Sequence, residues 1–127
     1  MTSDSTLAEH IAAKRMYGQA VCDSIIKTLT KLGFPDTLDL PKPNFDSAVF
    51  SQETDPYLQS LYLVGYWYSE TKARIGQIKF NCDGSFYAEF DVVQPHPSKK
   101  RWFVEAINAW GSLEDIRAEA KLLEIPQ

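Results

Sequence analysis

The chain is poor in the residues that most protein chemistry depends on. It has two cysteines and two histidines in 127 residues, and its six glycines never cluster. Zinc takes three or four Cys, His, Asp or Glu ligands at characteristic spacings. Neither a Cys-x-x-Cys pair nor a His-Glu-x-x-His run is present, so no metal is expected. Gly65, Gly76 and Gly84 stand alone, which excludes a phosphate-binding loop, a dinucleotide fingerprint and a nucleophile elbow, and no cofactor is expected. No apolar run approaches the ~20 residues that span a bilayer. The polar start Met1-Thr2-Ser3-Asp4-Ser5-Thr6 lacks the basic and apolar segments of a signal peptide. Cys22 and Cys82 read as free thiols of a reducing compartment, so the expected location is cytoplasmic. A basic footprint is missing too. The net charge is −4 and the one cationic cluster is Lys99-Lys100-Arg101, so neither nucleic acid nor membrane is an expected partner.

What remains is a globular composition, 44% hydrophobic and 24% charged, in a chain of a length that fits one domain, residues 1–127. Its aromatic residues are concentrated. Tyr62, Tyr66, Trp67, Tyr68, Phe80, Phe86, Tyr87 and Phe90 are half of all Phe, Tyr and Trp, and they flank the turn Asn81-Cys82-Asp83-Gly84. Strands this aromatic bury one face and leave a hydrogen-bonding surface on the other.

Thr6-Leu7-Ala8-Glu9 has the capping-box spacing that opens a helix. Leu7, Ile11, Val21, Ile25, Leu29 and Leu32 form its apolar stripe, with Gly18 and Cys22 at small positions. Gly33 supplies a left-handed stop and Pro35 prevents continuation. Phe34 to Phe45 is a proline-containing connector anchored by Leu38, Leu40 and Phe45, and Ala48 to Gln52 reads as a short edge strand. Ser60–Tyr68, Arg74–Asn81 and Ser85–Val93 follow as strands with period-two alternation.

The hairpin between the last two can be registered in detail. A two-residue turn at Asp83-Gly84 would set Phe80 against Tyr87 and mix the faces. A three-residue loop, with Gly84 in the left-handed bulge position, pairs Asn81 with Ser85. Phe80 then meets Phe86, Ile78 meets Ala88, and Gly76 meets Phe90. One residue of slip would expose the whole apolar set, so the three-residue loop is expected.

Beyond Gln94-Pro95-His96-Pro97, Ser98 reads as the cap of a helix to Trp110, with Trp102, Phe103, Ala106, Ile107 and Trp110 buried and Gly111 as its stop. Ser112-Leu113-Glu114-Asp115 repeats the capping pattern and opens a last helix to about Leu123, facing inward with Ile116, Ala120 and Leu123; a strand from Arg117 to Leu123 is the alternative. The expected fold class is therefore α+β: a long N-terminal helix, a three- to four-stranded antiparallel meander, and two short C-terminal helices packed on the sheet.

No catalytic constellation assembles from these residues. The best surface candidate is the tyrosine and acidic side of the sheet, Tyr66, Tyr68, Tyr87, Glu89 and Asp91, where rings supply contact area and hydroxyls supply direction. The expected function is a non-enzymatic protein-interaction module, an adaptor, chaperone-like or inhibitor protein, with another protein or a second copy as partner. The alternative is a small-molecule-binding or hydrolytic enzyme. It would use a pocket between sheet and long helix, with His96 as base and Asp91 and Tyr87 as polar members.

Overall fold

The computed structural model of the chain describes residues 3–34 and 42–126. One long helix, α1 (Ser3–Lys31), precedes six strands: β1 (Val49–Thr54), β2 (Leu61–Tyr68), β3 (Arg74–Phe80), β4 (Ser85–Pro95), β5 (Trp102–Ser112) and β6 (Asp115–Glu124). The strands form one antiparallel sheet in the order β1-β2-β3-β4-β5-β6, so every strand pairs with its sequence neighbour. The α+β class holds. The expected strand count and the C-terminal helices do not, because 102–124 is a β-hairpin.

α1 begins at Ser3, upstream of the expected box, and Thr6 lies inside it. Its 29 residues have the length to cross a membrane, but it is not apolar enough. Tyr17, Val21, Cys22, Ile25 and Leu29 are buried against the sheet, with Leu7, Ile11 and Leu32 partly buried beside them. The helix stops as expected. Gly33 has φ +99°, its N–H donates to the Thr30 carbonyl and that of Phe34 to the Leu29 carbonyl. These two bonds satisfy terminal carbonyls that the helix leaves unpaired. The expected anchors Leu38 and Leu40 lie outside the described residues. Phe45, in a single 3-10 turn (Phe45–Ser47), is buried against Gly18, so close that a Cβ there would fall 2.1 Å from its ring.

The β3–β4 hairpin has the register that its alternation requires. Asn81 N–H donates to the Ser85 carbonyl, Gly84 has φ +91°, and Phe80 faces Phe86, Ile78 faces Ala88 and Gly76 faces Phe90. The inner face runs on across β5 and β6. Ala88, Ala109 and Ala118 form one cross-strand row there, and α1 lies against both C-terminal strands. Small side chains in that row leave room for the helix.

A β-bulge explains why β5 reads as a helix. The pairing with β6 shifts between Val104 and Ala106, leaving Glu105 without a cross-strand partner. Inward residues then fall at Val104, Ile107 and Ala109, and the three-residue step imitates helical spacing. Trp110 consequently faces out rather than in, and Trp102 is only partly buried, outside the core it was expected to join. Gly111 (φ +118°) serves the β5–β6 turn instead of ending a helix, and Ser112 pairs with Asp115 across Leu113-Glu114 instead of capping one. β6 is rich in helix-forming Ala, Glu, Lys and Leu, yet pairing with β5 overrides that preference. Ile116, Ala118, Ala120 and Leu122 pack toward the core, and Leu123 is exposed.

Candidate functional site: the outer face of the sheet

Because α1 occupies one face, the alternation of each strand presents a second face to solvent. Two ladders of side chains cross it. The first runs from Val64, which is buried, through Lys79, Tyr87 and Trp110 to Arg117; the second runs Tyr66, Gln77, Glu89, Asn108, Glu119. Asp91 lies one step further along β4, opposite Ala106 and near Arg74. Tyr66, Tyr68, Tyr87, Glu89 and Asp91 therefore share one face. Tyr68 is 48% exposed, Tyr87 37% and Trp110 38%. Trp110, Asn108, Arg117 and Glu119 belong to the same surface; the residues alone put Trp110 and Asn108 on a helix, and Arg117 and Glu119 on a helix with a strand as the alternative, which is the one that forms.

The face is laced with local interactions. The Tyr87 hydroxyl donates to Glu89 Oε2 at 3.0 Å, and the Tyr62 hydroxyl donates to Glu53 Oε2 at 2.5 Å. The bond to Glu53 pushes the Tyr62 hydroxyl up to about 12. Arg74 stacks its guanidinium 5.0 Å from the Tyr66 ring centroid, and Lys79 Nζ lies 4.5 Å from that of Tyr62. Each cation rests on a ring's negative π-face. Partial burial raises the Asp91 carboxyl above the ordinary carboxylate value, and Glu89 and Glu105 add to the rise against the opposing pull of Arg74. Asn108 Oδ1 is buried and accepts no hydrogen bond from the described residues. A shallow depression of about 180 Å³ is lined by Arg74, Gly76, Gln77, Glu89 and Asp91, and a second of about 320 Å³ by Asn108, Glu119, Ala120 and Lys121.

The three residues of the enzymatic alternative are dispersed. Tyr87 and Asp91 share the outer face but stand four residues apart on β4, about 13 Å at strand rise. His96 lies past the end of β4, where its Nδ1 accepts the backbone N–H of Ser98 at 3.1 Å and of Lys99 at 2.9 Å. That nitrogen organises the β4–β5 connection. On the helix side, the space is filled by Ile25, Leu63, Ile78, Phe80 and Phe90. Cys22 is sealed in that core, where burial pushes its thiol up to about 12, and Cys82 is exposed at the hairpin tip. Among the described residues no three Cys, His, Asp or Glu side chains group as metal ligands.

No protein-family model, curated protein or solved structure matches the chain.

Proposed function

We propose that the chain is a non-enzymatic protein-interaction module, an adaptor, chaperone-like or inhibitor protein, that binds its partner on the outer face of the sheet around Tyr66, Tyr68, Tyr87, Glu89 and Asp91. The observation that carries this reading is the composition of that face. Exposed Tyr68, Tyr87 and Trp110 lie among charges of both signs, on strands whose other face is already packed. Tyr, Trp and Arg are the residues that dominate interface energetics: the two aromatics bring large areas with few rotatable bonds, and all three carry directional donors.

One further detail supports the same reading. The crowding of Asp91 by Glu89 and Glu105 leaves carboxylates that a cationic partner would relieve. The partner class that fits is a protein surface presenting Lys or Arg beside apolar area. Trp110 extends the surface beyond the tyrosines.

Affinity capture with wild-type protein and with Tyr87→Ala and Trp110→Ala tests this. The expected result is a protein retained by wild type and lost from both variants while both keep the wild-type circular dichroism spectrum. Equal retention by all three would refute the assignment of the face.

A further inference from the structure

The sheet has two edges, and they differ. β1 is six residues long, and the 3-10 turn that precedes it is packed against α1. β6 is ten residues long, pairs only with β5 among the described residues, and contains no proline. Its chain continues without an inserted residue, since the bulge in that pair belongs to β5. Natural edge strands are usually shortened, bulged or interrupted by proline, because an open edge templates pairing with another chain. β6 shows none of those three devices.

The side chains on the outer face of β6 show what would pair there. In order they are Asp115, Arg117, Glu119 and Lys121, alternating in sign. We infer that β6 pairs antiparallel with β6 of a second copy, in the register that sets Ala118 opposite its own symmetry mate. The two-fold axis then runs through Ala118. Arg117 faces Glu119 of the other copy, and Asp115 faces its Lys121. Each contact occurs twice, so four opposite-charge pairs form along one seam. Leu113 and Leu123, 52% and 47% exposed, approach each other across the same seam.

Shifting the centre by one residue destroys this match. With Glu119 on the axis, Arg117 meets Lys121 and Glu119 meets itself. With Arg117 on the axis, Asp115 meets Glu119 and Arg117 meets itself. Centring on Ala120 keeps the Glu119–Lys121 pairs but loses the others. Opposite charges facing one another across strands stabilise, and like charges in the same positions destabilise. The sequence of β6 is therefore self-complementary in one register and disfavours its two neighbours.

In the monomer Arg117 lies 3.2 Å from Asp115 and Lys121 lies 3.2 Å from Glu105. Both pairs are exposed and weak, so neither holds its cation away from a new partner. The product is one continuous twelve-stranded sheet with both outer faces on the same side.

Sedimentation analysis over a concentration series tests the pairing. Wild type is expected to reach a dimer limit. Arg117→Glu sets Glu against Glu119 in both symmetric contacts and should weaken self-association by at least about tenfold. The swap Arg117→Glu with Glu119→Arg restores the complement and should restore the dimer. Added salt should weaken wild type and swap alike. Should Arg117→Glu fail to fold, Asp115→Lys and its swap with Lys121→Asp carry the same expectations. A wild type that stays monomeric at its highest soluble concentration would overturn the inference and make these charges guards of the edge. A folded Arg117→Glu that dimerises as tightly as wild type would also overturn it. So would open-ended polymers, the product of β6 pairing with β1 of the next copy.

Discussion

The two faces of β1 to β4 sort phenylalanine from tyrosine, a difference of a single oxygen atom. Phe50, Phe80, Phe86 and Phe90 point toward α1, whereas Tyr62, Tyr66, Tyr68 and Tyr87 point away from it. A phenol loses a hydrogen bond to water when buried, and a phenyl ring does not. The backbone is common to both faces, so it is burial that separates them. One face carries stability, and the other is free to carry recognition.

Removing a ring from the inner face should have the largest effect. Phe86 is 2% exposed and meets Tyr17 edge-on at 5.6 Å between ring centroids. Phe86→Ala is expected to cost ~3–5 kcal/mol in chemical denaturation, a large part of the ~5–15 kcal/mol that holds a domain of this size together. A loss below about 1 kcal/mol would contradict the packing of the inner face.

The glycines of the two hairpin turns come next. At Gly111 the φ is +118° and an added Cβ would fall 2.1 Å from the Asp115 carbonyl oxygen. Gly111→Ala should cost about 2 kcal/mol or more, because left-handed strain and a backbone clash combine. Gly84 has a φ of +91° but nothing within 4 Å of an added Cβ. Gly84→Ala should therefore cost about 1 kcal/mol, from strain alone. Equal losses at the two positions would show that the Asp115 contact is not made.

These positions also show where the fold could be read from the residues alone. The β3–β4 hairpin was legible because Ile78, Phe80, Phe86 and Ala88 alternate strictly, and only a three-residue loop ending at Gly84 keeps them on one face. The helix end was legible because Gly33 offers a left-handed residue where the apolar stripe stops. β5 was not, since the bulge at Glu105 replaces a two-residue step with a three-residue one. β6 was legible only as the alternative strand from Arg117 to Leu123, since Ala, Glu, Lys and Leu favour a helix in isolation and only β5 beside them forces extension. The same errors hid part of the candidate site. Tyr66, Tyr68, Tyr87, Glu89 and Asp91 were placed together by alternation in β2 and β4, whereas Trp110 and Asn108 depend on a strand that was read as a helix, and Arg117 and Glu119 on one read as a strand only in the alternative.

A smaller effect should come from the charge held at a disadvantage on the outer face. Burial, then Glu89 and Glu105, raise the folded-state pKa of Asp91 above its unfolded value. The folded protein then binds that proton more tightly than the unfolded chain. Asp91 ionisation therefore subtracts stability as pH rises from below the unfolded carboxylate value through the raised folded one. Asp91→Asn should melt slightly higher than wild type at neutral pH, with the difference disappearing below the ordinary Asp pKa of about 3.9. A variant that melts lower than wild type at pH 7, and by the same margin at low pH, would give Asp91 a structural role instead.

The central claim is that the outer face is a binding surface and not a second layer of packing, and Tyr87 tests it most directly. Its ring is 37% exposed, opposite Trp110 and Lys79. Tyr87→Ala should cost about 2 kcal/mol of folding stability by area, below the ~3–5 kcal/mol of Phe86→Ala. Calorimetric titration of the captured partner into Tyr87→Ala protein should show a loss of about 2 kcal/mol or more, roughly thirtyfold in affinity. A Tyr87→Ala protein that loses as much stability as Phe86→Ala yet binds that partner as wild type does would contradict the claim.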